Sequence, residues 1–359
     1  MSSVAVPQAQ PRPGADWRRA LRAVGSNFLL RRILKAILTI WFVTSLLFFL
    51  IRLMPSNPLE IYIQELMSQY SMSYQDARSQ AASLFALDLD APLWQQYLRY
   101  MSGLVRGDLG TSLRSQGTPV TAIIAKFLPW TLFSVGTALL ISVIIGVGFG
   151  IVMAYRRDSW LDNLLSVFAS ISSSVPQFIF AVLIIVFGVR WKLLDFAALR
   201  GSTSPGIEPG FTFAFIKDIF YHAWLPIAVY VLTSIGTWML SMRNNTLATL
   251  GEDYVTVARA RGLRDTRIAT SYVGRNAALP LVTSFALALA YSVGGSPVVE
   301  DTFKYVGLGY YLVQSVFQRD YSLMQGCFLV LTVAVVTANM ITDLLYGVLD
   351  PRIRIGGGE

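Results

Sequence analysis

Six long apolar runs constrain this chain more than any other feature. A hydrocarbon core about 30 Å thick is crossed by roughly 20 residues of helix. Runs long enough cover residues 33–53, 131–155, 164–189, 222–242, 279–299 and 326–349. They predict an all-α integral membrane protein with six transmembrane helices. Composition agrees. Apolar residues make up 54% of the 359 residues and charged residues 14%, against about 25% charged in ordinary soluble domains. An aromatic content of 13% excludes disorder over most of the chain. The single cysteine, Cys327, excludes a disulfide scaffold.

Loop charges predict the orientation. With the N-terminus inside, the inner segments collect seven basic residues from Arg12 to Lys35. Arg156 and Arg157 follow, then Arg243, Arg259, Arg261, Arg264, Arg267 and Arg275, then Arg352 and Arg354. These are 17 of the 29 basic residues, and short basic loops stay in the cytoplasm. Both termini are therefore expected to be cytoplasmic. The net charge of +8 and the pI near 9.6 follow from this orientation, without nucleic-acid binding. Residues 1–30 are expected to form a flexible cytoplasmic tail containing Pro7, Pro11 and Pro13. The apolar run that follows is too long for a cleaved signal peptide. A six-span domain over 31–354 and a short tail over 355–359 complete the expected organisation.

The longest soluble piece is the outer loop over 54–130. Helical spacing of apolar residues appears at 73–85 and 92–105. Trp94, Tyr97, Leu98 and Met101 form one stripe, expected to lie on the membrane interface or on a neighbouring helix.

Several chemistries have no support. No G-x-x-x-x-G-K-[ST] loop is present to cradle nucleotide phosphates. Gly146 and Gly150 lie inside an apolar run and read as a small-residue face for close helix approach. His222 is the single histidine, so no His/Cys metal cluster can be assembled. No Ser-His-Asp triad has spacing support. Ser170, Ser172, Ser173 and Ser174 read as helix-contact or pore-lining groups. Asp343, inside the last run, reads as a buried structural acid paired with a base such as Arg243, more readily than as a proton relay.

The inner loop over 243–278 is the most informative. Residues 252–262 form a short, well-terminated helix. Glu252 and Asp253 stand at its positive end, Arg259 and Arg261 at its negative end, and Gly262 is a left-handed stop. A second helix from Asp265 or Thr266 runs to Asn276, and Leu279-Pro280 opens the fifth span. Two short helices would thus protrude from the cytoplasmic face. Periodicity alone does not choose between a solvated basic hairpin and a knob that docks on a partner. In the fifth span, Tyr291, Ser292, Gly294, Gly295 and Ser296 precede Pro297. Glycines beside a proline let a helix bend or unwind, which predicts a gate beside a pore. Ser173, Pro176 and Gln177 of the third span can line the same path.

These residues carry a resemblance. Asp253-Tyr254-Val255 with Ala258-Arg259-Ala260-Arg261-Gly262-Leu263, then Gly274-Arg275-Asn276-Ala277 and Leu279-Pro280, resembles the coupling-loop signature of ABC importer permeases of the dipeptide/oligopeptide branch. Gly107-Asp108-Leu109-Gly110-Thr111-Ser112, Arg319-Asp320-Tyr321 and Leu349-Asp350-Pro351-Arg352-Ile353-Arg354 match at their expected places. The resemblance covers about residues 31–354.

The resemblance implies a type I ABC importer-like permease in a prokaryotic plasma membrane. It implies a homologous second permease, two cytoplasmic ABC ATPases that bind ATP and Mg, and an extracytoplasmic solute-binding protein. The chain would hold no cofactor or metal and do no covalent chemistry. Glu252, Asp253, Tyr254, Val257, Ala258, Arg259, Arg261 and Gly262 would couple to an ATPase. Tyr254, Val257 and Ala258 would enter its groove, and the two arginines would meet an acidic rim. Peptides are the expected solute, with oligosaccharide, nickel or opine as the alternative. A stand-alone secondary transporter would want intramembrane charge pairs, and an intramembrane enzyme a mid-span dyad. The sequence offers little of either.

Overall fold

The computed structural model describes residues 28–53, 58–85, 91–112, 115 and 117–349. Residues 1–27 of the expected tail and the terminal motif from Asp350 onward lie outside the described residues. Among the described residues every regular element is helical, and one isolated bridge joins Thr111 to Pro119.

Helix α1 (Phe28–Arg52) is followed by three short helices, α2 (Pro58–Tyr70), α3 (Tyr74–Phe85) and α4 (Leu93–Val105). Then come α5 (Val120–Tyr155), α6 (Trp160–Ser174), α7 (Gln177–Arg190) and α8 (Phe213–Leu250). The loop after α8 holds α9 (Asp253–Ala260), α10 (Asp265–Arg267) and a π-helical turn, Ile268–Gly274. The chain continues through α11 (Arg275–Tyr291), a 3-10 turn (Ser292–Gly294), α12 (Pro297–Phe303), α13 (Leu308–Phe317) and α14 (Tyr321–Leu349). Among the described residues five helices are long and apolar enough to cross a membrane, and a sixth crossing results if α6 and α7 count as one bent span.

The centre is the pair α5 and α8, of 36 and 38 residues. At 1.5 Å per residue each is about 55 Å long, nearly twice the hydrocarbon thickness. The expected spans over 131–155 and 222–242 are their lipid-depth parts only. Hydropathy registers the portion that must be apolar, while the helix continues wherever its flanks still pack. A Cβ on Gly146 would lie 2.6 Å from Trp238 Cβ, and one on Gly150 2.5 Å from the Met239 carbonyl. The two backbones therefore touch, as the Gly146-x-x-x-Gly150 spacing implies. Ser234 Oγ donates to Ser142 Oγ across the same seam at 2.7 Å. On the other side of α8 the Ser172 hydroxyl donates to the Leu232 carbonyl, so Ser172 joins helices. Helix α11 closes a third side, burying Ala277 and Leu281 with Leu139, Trp238 and Met242.

Two expected spans are corrected. The third is not continuous over 164–189: α6 and α7 meet at 100°. Pro176 has no N–H to donate, and its ring drives Val175 into extended geometry (φ −85°, ψ 125°). Apolar length alone does not register such a break. The fifth span does not reach 299. Helix α11 stops at Tyr291, the chain turns at Gly295 (φ +56°), and Val298 and Val299 belong to α12.

The outer stripe divides. Tyr97 packs on Phe48 and Phe49 of α1, with its hydroxyl 2.8 Å from Ser45 Oγ. Trp94 and Leu98 remain exposed, as an interfacial helix face would.

Candidate coupling knob and gate

The knob begins where α8 ends. Gly251 turns the chain and Glu252, extended at φ −74° and ψ 144°, caps α9. Asp253 occupies its first turn and Arg259 its last, matching the helix dipole. Gly262 is left-handed at φ +71°. The Leu263 N–H returns to the Ala258 carbonyl at 3.3 Å, closing the helix end.

One face of α9 is rooted in this chain. Val255 and Ala258 are fully buried against Ile268 and Val273, with Leu250, Leu263 and Tyr272 around them. The next face is open: Tyr254 is 39% and Val257 56% exposed, and Glu252, Asp253, Arg259 and Arg261 are exposed too. Ala258, expected in a partner's groove, is instead part of the knob's own foundation. The two small apolar faces lie about 100° apart at 3.6 residues per turn. Only the packing partner decides which faces inward.

The expected end of the second helix at Asn276 is also corrected. From Asp265 the chain runs through the π turn into α11 without a break, and Pro280 lies inside that helix. Asn276 fastens the knob from below: its amide donates to the Tyr254 hydroxyl at 3.1 Å and to the Tyr272 carbonyl at 2.8 Å. Asn245 of α8 donates to the Ala277 carbonyl at 3.2 Å.

The same helix leads to the residues read as a gate. Tyr291 is exposed, and its hydroxyl donates to Asn339 of α14 at 2.9 Å. Ser292 is buried and donates to the Leu289 carbonyl. The 3-10 turn containing Ser292 and Gly294 packs on α5. Ser296 precedes α12, which packs on α7. Ser173 lies elsewhere, 3.4 Å from the Thr237 hydroxyl of α8. Pro176 and Gln177, at the α6–α7 break, are exposed. The two sets thus rest on different members of the central pair.

Sequence reasoning missed what holds this region. Glu300 of α12 is fully buried. Its carboxylate accepts from the Thr131 hydroxyl at 2.8 Å and from the Tyr310 N–H at 3.1 Å. Thr131 in turn accepts from the Leu308 N–H at 2.8 Å. Burial pushes the Glu300 carboxyl up to about 7, while its donors from Thr131, Tyr310 and Gly309 pull the other way. A Cβ on Gly295 would come 2.6 Å from Thr131 Cγ2 and 3.0 Å from Glu300 Oε1, and one on Gly307 would overlap both side chains. Glycines at 295 and 307 were the available signal, though spacing could not show what they enclose.

Three further polar clusters tie distant segments. Arg243 of α8 forms a two-pronged pair with Asp162 of α6, at 2.7 and 2.8 Å. The expected Arg243–Asp343 pairing therefore gives way to Asp162; the side chain of Asp343 lies outside the described residues. Ser112 donates to Asp320 at 2.5 Å, joining the motifs 107–112 and 319–321. Ser204, Asp218 and His222 also meet. Ser204 Oγ lies 3.0 Å from His222 Nε2 but also donates to Asp218 at 2.6 Å, and His222 Nδ1 lies 3.3 Å from the Leu199 carbonyl, not from the acid. In a catalytic triad the histidine stands between serine and acid. Here the serine bonds the acid directly, so the cluster pins the loop between α7 and α8. Among the described residues no three His, Cys, Asp or Glu side chains gather as a metal site.

A bundle of membrane-crossing helices, one of them running on from a short helical loop, defines a polytopic membrane component. The chain belongs to the family described as the binding-protein-dependent transport system inner membrane component, whose model matches residues 146–355. The model for the N-terminal part of such membrane components matches residues 26–135. The chain is 32% identical to the oligopeptide transport system permease protein AppB of Bacillus subtilis, over 91% of this chain and 99% of that one. It is 31% identical to the dipeptide transport system permease protein DppB of Escherichia coli K12, over 91% and 98%. A solved chain of the MetNI methionine ABC transporter aligns at a TM-score of 0.49 and 17% identity, over 64% of this chain and 97% of that one.

Proposed function

We propose that this chain is one of two homologous permeases in an ATP-driven importer of peptides. Two cytoplasmic ABC ATPases carrying ATP and Mg, and an extracytoplasmic solute-binding protein, complete the assembly. Both termini lie in the cytoplasm. The oligopeptide and dipeptide permeases it is similar to support peptides over oligosaccharides as the solute.

The observation that carries this reading is the unbroken helical run from Asp265 to Tyr291, with α9 seated on its start through Ile268 and Val273. A partner pressing on Tyr254, Val257, Arg259 and Arg261 moves a helix rooted by Val255 and Ala258. The movement passes along α11 instead of dissipating in a flexible loop. It ends at Ser292–Gly294 and Gly295, where regular helix stops. There backbone geometry can change, and the Ser173–Gln177 break can complete the path. Nucleotide state in the partner thus biases an equilibrium between inward- and outward-open forms.

The test is uptake and ATP hydrolysis by the assembled transporter in proteoliposomes. Val257→Asp alters the exposed face and leaves the foundation intact; it should abolish peptide uptake while the subunit stays folded. Normal coupled uptake would remove the docking face. Solute accumulation by this chain reconstituted alone would remove the ATP-driven reading altogether.

A further inference from the structure

Beyond the end of α11 remote from the knob, four segments meet at one carboxylate. Glu300 is fully buried. Its helix, α12, is not among the helices long enough to cross a membrane. Glu300 Oε1 accepts from the Thr131 hydroxyl of α5 at 2.8 Å, and Oε2 accepts from the Tyr310 N–H at 3.1 Å. The Gly309 N–H bonds the carboxylate too. The Leu308 N–H closes on the Thr131 hydroxyl at 2.8 Å. The first three N–H groups of α13 are therefore all held by Glu300 and Thr131, and such groups have no partner within their own helix.

The turn after α11 lies against the same carboxylate. Gly295 has φ +56° and ψ −157°, a conformation open to glycine. A Cβ there would lie 3.0 Å from Oε1, and one on Gly309 3.0 Å from Oε2. Gly295 cannot swing without disturbing Glu300, and Glu300 cannot leave without freeing the start of α13.

No cation compensates this acid among the described residues. The titratable groups nearest it are phenols: Tyr230 of α8, Tyr305 of the turn after α12, and Tyr310 of α13. On α12 itself, Asp301 pairs with Lys304 at 2.9 Å. Asp218 and His222 of α8 are engaged with Ser204. Lys126 of α5 lies over the Phe127 ring, and Arg190 of α7 is exposed. Burial therefore outweighs the donors, and the carboxyl is raised from 4.5 to about 7. A parted corner admits water and returns the group toward its ordinary value. The packed form thus binds the proton more tightly, and rising pH favours the parted form.

We propose that Glu300 is a proton-operated latch on the hinge at Gly295: protonated, it keeps the α12–α13 corner seated on α5, and ionised, it lets the corner part. The lost proton passes to the water that enters. Glu300 is a positioning residue in this scheme, since it acts through the backbone of Gly295. The proposal rests on the gate described under the proposed function and adds that pH sets how often the gate opens.

The test uses the assembled transporter in proteoliposomes, with Cys327→Ser removing the native thiol and Ser292→Cys placing a buried probe beside the hinge. Maleimide labelling is followed from pH 5 to pH 8, with and without ATP and Mg. Each rate is divided by that of the same probe carrying Glu300→Gln, which cancels the ionisation of the thiol. The ratio should rise about tenfold across this range without nucleotide. Thr131→Val removes a donor that favours the ionised acid, so the rise should move to higher pH. That shift decides the matter if Glu300→Gln does not assemble, because the thiol is the same in both proteins. A ratio that stays flat, or a profile that Thr131→Val leaves in place, would overturn the latch. Labelling that follows pH but ignores nucleotide would keep the latch and remove the ATP-driven gate. Labelling that follows nucleotide with a flat ratio would do the reverse.

Discussion

The amide of Asn276 donates a hydrogen bond to the hydroxyl of Tyr254 at 3.1 Å, tying α9 to the foot of α11. One polar contact thus spans the junction between the exposed face of α9, proposed above to dock, and the helix that ends at Tyr291. Removing it should weaken transmission while leaving the apolar foundation in place. Asn276→Ala and Tyr254→Phe should each lower peptide uptake per ATP hydrolysed by about fivefold, equivalent to about 1 kcal/mol. The double variant should lose no more than either single one. Fully additive losses in coupled proteoliposome assays would show that the bond does not act as a unit.

Ala258→Asp and Val257→Asp should behave differently, although the positions are adjacent. Ala258 is 2% exposed and sits on Ile268 and Val273. A carboxylate there has no partner and should cost several kcal/mol. Limited proteolysis should cut the 252–263 segment in Ala258→Asp and spare it in Val257→Asp. Equal protection of both would contradict the burial pattern.

The glycines of the α5 seam should separate by position. Gly150→Ala and Gly146→Ala force a Cβ into the backbone of α8 and should destabilise by about 1–3 kcal/mol. Gly148→Ala meets nothing within 4 Å and should be neutral or slightly stabilising, since alanine is the better helix former. Thermal unfolding in detergent orders the three, and a destabilised Gly148→Ala would refute the packing.

Asp320 caps α14 by accepting from the Leu323 N–H at 3.1 Å, and also accepts from Ser112. Asp320→Ala removes both bonds inside a buried site and should cost about 2–3 kcal/mol. Ser112→Ala removes one of them and should cost about 1 kcal/mol. Equal losses on thermal denaturation would show that the cap contributes nothing.

Glu300 carries a pH signature. Its carboxyl is raised from 4.5 to about 7 in the fold. The native state therefore holds more protons than the unfolded chain between those values, and stability falls as pH rises through that window. Below about 4.5 the contribution is complete; above about 7 no further loss follows. Unfolding midpoints measured from pH 5 to pH 8 should fall in the unmodified protein and flatten in Glu300→Gln. An unchanged slope in that variant would assign the pH dependence to another group.

Much of this architecture was legible from the residues. Apolar runs of about 20 residues located the membrane spans, because lipid offers backbone polar groups no partner except their own helix. Gly262 was readable as a helix stop because a left-handed φ favours glycine. The Gly146–Gly150 face was readable because two small side chains four apart lie on one side of a helix. The break at Val175–Pro176 was not read, although the proline was visible, because apolar length carries no record of helix direction. The inward face of α9 was not legible either, since Val255 with Ala258 and Tyr254 with Val257 look alike until Ile268 and Val273 arrive.

The sequence by itself determined membrane residence, the approximate span count and the presence of a short capped helix after α8, because those follow from short-range spacing and from transfer of side chains into lipid. Only the tertiary structure decided that Arg243 meets Asp162, that Ser112 meets Asp320, and that Glu300 lies enclosed by Thr131, Gly295 and Gly307. Each of those contacts joins segments about eighty to two hundred residues apart or depends on such a junction. The identity of a polar side chain states which bonds it can make, whereas its partner is set by how the helices cross.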